Sequence, residues 1–182
     1  MSHFEYVAVA FSLVFALILS RLLESLPSVF RPARRYWIHA VWTIHMIFSV
    51  FGLWWALWEF RDTSWTPILF LGVMTFPVIL YMRTIFLLQD PTEGSETWEV
   101  LFFENRKAFF ATSMLAPVAA LIFDFAAIEA EGSAQGWRLS GYLLLLALCL
   151  PGFVTSNRKV HAVIAIVTFV LGLGWLAADV SS

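Results

Sequence analysis

The stretch YWIHAVWTIHMIFSVFGLWWALWEF, residues 36–60, decides the fold. Its 25 residues hold one formal charge, Glu59, next to the end. A bilayer core is about 30 Å thick and an α-helix rises about 1.5 Å per residue, so about 20 apolar residues cross it. A run of this length and composition predicts a transmembrane helix. Comparable runs lie on either side of it at 4–26 and 65–88, followed by 107–128, 137–155 and 160–178. The expected fold is all-α, one domain over 1–182, a polytopic bundle of six transmembrane helices. Residues 4–26 do not read as a cleavable signal, because no basic segment precedes them and Arg21 and Glu24 stand where small residues are needed for cleavage.

Composition points the same way. Of the 182 residues 60% are apolar and 13% charged, against about 25% charged in soluble domains, and the mean hydropathy is +0.81. Eighteen Phe and nine Trp suit lipid-facing grooves and interfacial belts. A net charge of −2, with basic residues flanking helices instead of forming a patch, excludes a nucleic-acid partner. Cys149 is the only cysteine, so the chain has no internal disulfide, and its place in an apolar run reads as packing.

Orientation follows from the basic residues, which concentrate in cytoplasmic loops. Arg21, Arg31, Arg34, Arg35, Arg83, Arg106, Lys107, Arg158 and Lys159 fall on one side of the implied membrane, and only Arg61 and Arg138 on the other. With six acids the first side carries +3; with seven the second carries −5. The first side is expected to be cytoplasmic, both termini to lie outside, and the compartment to be a bacterial inner membrane. Asp90-Pro91-Thr92-Glu93-Gly94-Ser95 reads as a turn and helix start. Beyond it Trp98, Leu101, Phe102 and Phe109 recur at helical spacing, predicting a short interfacial helix at about 96–106.

Ionisable groups inside apolar spans are the best functional pointers, because each costs a few kcal/mol unless it pairs or meets water. Arg21 and Glu24, three residues apart, are placed to pair on one helix face. His39 enters one turn into the second span, Arg83 precedes the end of the third by about one turn, and Asn157 and His161 open the sixth. At a shared depth Arg21, Glu24, His39, Arg83, Asn157 and His161 form a candidate polar pocket on the cytoplasmic side. Two Arg and two His there suit a carboxylate, a phosphate or a lipid headgroup. His45, near the middle of its span, needs a hydrogen-bond partner or a ligand and is a candidate proton or ligand group.

Thr112, Ala116 and Ala120 repeat every four residues, a seam of small side chains that lets another helix approach closely. Asp124 continues that row and is the second candidate proton or ligand group. Pro77, Pro117 and Pro151 each free a carbonyl inside a span. Trp54, Trp55, Trp58 and Trp65 crowd one membrane interface.

No nucleophile elbow, phosphate loop or metal-ligand spacing appears, so neither a catalytic residue nor a metal site is expected. The leading expectation is a protein that binds or translocates a small solute, ion or proton. The alternatives are an accessory or assembly subunit of a larger membrane complex or a homo-oligomer, and an intramembrane redox protein or enzyme. For that last class haem or quinone would be the cofactor, with His39 and His161 at depths compatible with haem ligation.

Overall fold

A computed structural model describes the backbone of residues 2–33, 35–89, 97–131 and 136–180, and the side chains of these except 124–131, 136–138 and 176–180. Among the described residues the protein is all-helical. It comprises α1 (His3–Val29), α2 (Trp37–Ala56) prolonged by a 3₁₀ turn (Leu57–Phe60), α3 (Pro67–Leu87), α4 (Trp98–Glu131), α5 (Gly136–Val154) and α6 (Arg158–Val180). Five helices carry segments long and apolar enough to cross a membrane: His3–Val29, Trp37–Phe60, Pro67–Leu87, Trp98–Phe123 and Arg158–Trp175. The apolar part of α5 within the described side chains, Leu139–Val154, is shorter. This is the architecture of a helical membrane protein.

Local chemistry sets the starts. Ser2 and Glu5 form a reciprocal capping box on α1, the Ser2 hydroxyl accepting from Glu5 N at 3.2 Å and Glu5 accepting from Ser2 N at 2.8 Å. Thr66 caps α3 by accepting from Leu69 N, with Pro67 at the first helical position, where its missing N–H costs nothing.

The helices close into a ring. Going round it the order is α1, α3, α4, α5, α6, α2 and back to α1, and α2 also touches α3 and α4. Helix α2 is thus the most enclosed, and its Trp42, Met46 and Val50 meet Phe11, Phe15, Ile18 and Leu22 of α1 and Phe109 and Phe110 of α4 in one core. On α1 the buried positions Val7, Phe11, Phe15, Ile18 and Leu22 recur at helical spacing, while Leu13 and Leu17 are exposed. Ile68, Leu71, Ile122 and Val163 are likewise exposed, an outward apolar belt fit for lipid and far too large for water.

The separate interfacial helix expected at 96–106 is not found. Helix α4 runs 34 residues from Trp98 without a break at Lys107, about 51 Å at 1.5 Å per residue. The reason is packing: Trp98, Leu101 and Phe102, the face expected to rest on a membrane surface, are buried against other helices.

Candidate functional site

At one end of the ring α1, α3 and α5 terminate and α2, α4 and α6 begin. Here, at the basic end, the last carbonyls of the three finishing helices lack intrahelical partners. Each receives a donor from a starting helix. His39 in the first turn of α2 meets Leu87 O of α3 at 2.9 Å. Trp98, the first residue of α4, donates its indole N–H to Ser28 O of α1 at 3.0 Å. His161 of α6 meets Thr155 O, just past α5, at 2.8 Å.

A carbonyl only accepts, so Nε2 of both histidines carries the hydrogen and Nδ1 is left as an acceptor. In both rings Nδ1 is buried with no hydrogen-bond partner. His39 stacks on Trp98, centroids 4.3 Å apart and planes 18° from parallel, and His161 sits among Phe102, Phe103 and Phe110.

The six residues expected to line a cytoplasmic-side pocket therefore do not converge. Arg21 and Glu24 are exposed and unpaired with each other; Glu24 accepts instead from the Ser20 hydroxyl at 2.7 Å. Asn157 is exposed and caps α6, its Oδ1 accepting from Lys159 N at 2.9 Å. His39 and His161 are fully buried but serve different helix pairs. Depth was legible in the sequence; the rotation of each helix and the pull of a neighbour's unpaired carbonyls were not.

Arg83 takes another direction. Side chains lean toward the N-terminus of their own helix, and for α3 that is away from the basic end and into the bundle. Its guanidinium carbon lies over the Phe109 ring, 5.6 Å from the centroid. His45 and Cys149 are within its electrostatic reach. The Arg83 Nε is buried without a partner, and among the described residues no carboxylate pairs with this cation. Trp42, 1% exposed, packs edge-on to Phe109 at 5.0 Å and to His45 at 5.5 Å, and its indole N–H is also buried without a partner. The His45 ring makes no hydrogen bond among the described residues and faces Gly172 of α6, where an added Cβ would stand 3.1 Å from the ring. Among the described residues, the interior between α2, α3, α4 and α6 thus offers an N–H donor and a positive charge with no anion to receive them.

Of the seam on α4, Thr112 is buried, and Ala116 and Ala120 are half-buried. The Thr112 hydroxyl is directed at its own helix, 2.8 Å from Ala108 O and 2.9 Å from Phe109 O. Asp124 lies in α4, but its side chain is outside the described residues. Closer approaches missed by the sequence reading use glycine: a Cβ at Gly152 of α5 would stand 2.5 Å from the Phe110 ring, and one at Gly72 of α3 would collide with Phe123. The signal available was a lone glycine inside an apolar run. We expect Ala116→Leu to destabilise the protein by about 1–3 kcal/mol, and Val118→Leu, at an exposed position, by less than about 0.5 kcal/mol. Thermal unfolding of both in one detergent checks this, and equal midpoints would sink it.

Trp54, Trp55 and Trp58 are exposed at the other end of the ring, Arg61 lying over the Trp58 ring at 5.2 Å. No group of three His, Cys, Asp or Glu side chains able to hold a metal occurs among the described residues. A haem bound through His39 or His161 would have to use Nδ1, since Nε2 holds a helix end in each.

Comparison with protein families, with curated proteins and with solved structures finds no match to this chain.

Proposed function

We propose that the protein binds a small anionic solute inside the membrane at Arg83 and passes it across. The observation that carries this is the half-buried Arg83, its guanidinium over the Phe109 ring, its Nε buried without a partner and no carboxylate paired with it among the described residues. An isolated cation at membrane depth costs about 3 kcal/mol or more, and a chain retains such a group where an anion or water meets it. Trp42 Nε1 and the His45 ring supply further polar contacts beside it. The basic end is cytoplasmic in this reading, with both termini on the opposite side and the bilayer a bacterial inner membrane.

The test is flux into proteoliposomes across a panel of halide, phosphate and short carboxylates. Uptake of at least one anion should saturate and fall at least tenfold in Arg83→Gln, while Arg61→Gln, altering an exposed arginine paired with Asp62, behaves as the parent. Equal flux through parent and Arg83→Gln would remove the proposal.

A second reading, an assembly subunit of a membrane complex, is favoured by a different observation: His39, Trp98 and His161 satisfy helix ends locally instead of facing a ligand. It predicts stoichiometric copurification of a second membrane protein after mild solubilisation.

A further inference from the structure

Between the first turns of α4 and the start of α6 lies an open groove of about 480 Å³, lined by Glu99, Val100, Phe103, Glu104, Arg106 and Arg158. Ligand pockets commonly measure about 300–1,000 Å³. Two carboxylates and two guanidiniums share it. Glu99 and Arg158 pair across the helices at 2.6 Å, the Arg158 side chain remaining 75% exposed with donors to offer. Arg106 donates one Nη1 hydrogen to Phe103 O at 2.8 Å and keeps a buried Nε without a partner.

Two further unpartnered atoms lie behind the wall. The Tyr36 hydroxyl is buried without a partner, its ring 6.1 Å from Phe103. Burial pushes its phenol up to about 12; the Glu99 charge adds to that and the Arg158 charge opposes it, so the hydroxyl lies in the field of the groove's own ion pair. The His161 ring, with its unpartnered Nδ1, stands 5.1 Å from the Phe103 ring.

A bare anion entering this groove would meet Glu99 and Glu104, and a bare cation Arg106 and Arg158. A ligand carrying both charges can meet a carboxylate and a guanidinium at once and leaves the net charge of the groove at zero. Val100 and Phe103 offer apolar surface beside the charges, and the groove sits at the basic end, level with helix ends. We propose that this groove holds a phosphate and a primary ammonium a few bonds apart, the chemistry of an aminophospholipid headgroup. The site is separate from Arg83 and stands or falls independently of the transport reading.

Native mass spectrometry of the full chain in mild detergent, with phosphatidylethanolamine, phosphatidylglycerol or phosphatidylcholine added, reads the preference directly. Phosphatidylethanolamine is expected to be retained at least fivefold over the other two, and Arg158→Gln and Glu104→Gln, both at exposed side chains, to abolish that preference with unfolding temperatures unchanged. Tyr36→Phe removes only an unpartnered hydroxyl, so a weakened retention in a variant of unaltered stability also supports the site. Displacement by free O-phosphoethanolamine would assign the ligand to a soluble source, and resistance to it would assign the lipid. Equal retention of phosphatidylglycerol, or a preference surviving Glu104→Gln, would overturn the proposal.

Discussion

Trp98→Ala should lower stability by about 3–5 kcal/mol, the usual cost of emptying a buried indole site. Trp98 is 1% exposed, so nearly all its surface is lost to the core, and the His39 ring stacked on it loses its support. The truncation also removes one of two donors to Ser28 O, leaving that from Arg31 N at 3.2 Å. Trp98→Phe separates the two effects: it keeps an aromatic ring against His39 and removes the hydrogen bond, for about 1 kcal/mol. Denaturant unfolding in a fixed detergent reads both. Trp55→Ala, at a side chain 57% exposed, is the reference. Should Trp98→Ala unfold no earlier than Trp55→Ala, the packing described for the basic end is wrong.

Gly152→Leu is the second large effect. Its first new atom would stand 2.5 Å from Cε1 and Cζ of Phe110, well inside contact distance, before the branch of the leucine is added. The ring has nowhere to go. Phe110 is fully buried, with Trp42 at 5.8 Å, Phe109 at 5.2 Å and His161 at 5.5 Å, so yielding would disturb the Thr155 carbonyl contact as well. Overpacking of a filled core costs about 1–3 kcal/mol and here should reach the upper end or separate α5 from α4. Gly141 is the control on the same helix, because an added Cβ there meets nothing within 4 Å. Phe110→Ala combined with Gly152→Leu should recover part of the loss, a coupling that distant sites would not show. Gly152→Leu and Gly141→Leu of equal stability would contradict the α4–α5 contact.

The helices were legible in the sequence because length and hydropathy act locally: residues 36–60 can hardly be other than a span, and α2 with its 3₁₀ turn occupies Trp37–Phe60. Depth was legible for the same reason, and His39 and His161 do lie near helix starts at one end. Their roles were not, since the carbonyls of Leu87 and Thr155 that claim them belong to other helices whose rotation no local pattern encodes. Trp98 was correctly seen as part of an apolar face, yet that face packs on protein. The partner of an apolar stripe, lipid or helix, leaves no mark on the stripe itself. Arg83 is a case where more could have been read: a side chain leaning toward the start of a helix that runs toward the basic end points inward. Gly72 and Gly152 carry no such mark, since each is a lone glycine in an apolar run and the rings it meets, Phe123 and Phe110, belong to another helix.

The order of helices around the ring has a kinetic consequence. Helices α1, α2 and α3 pack on one another directly, so the first part of the chain can associate as it emerges. The far flank of α2, with His45 and Phe48, is closed by Phe169 of α6 at 6.4 and 6.0 Å. That joint connects segments widely separated along the chain, the sort of contact that forms late. Until synthesis delivers α6, the most enclosed helix of the finished bundle stands open on one side, with the flank that carries His45 and Phe48 still uncovered.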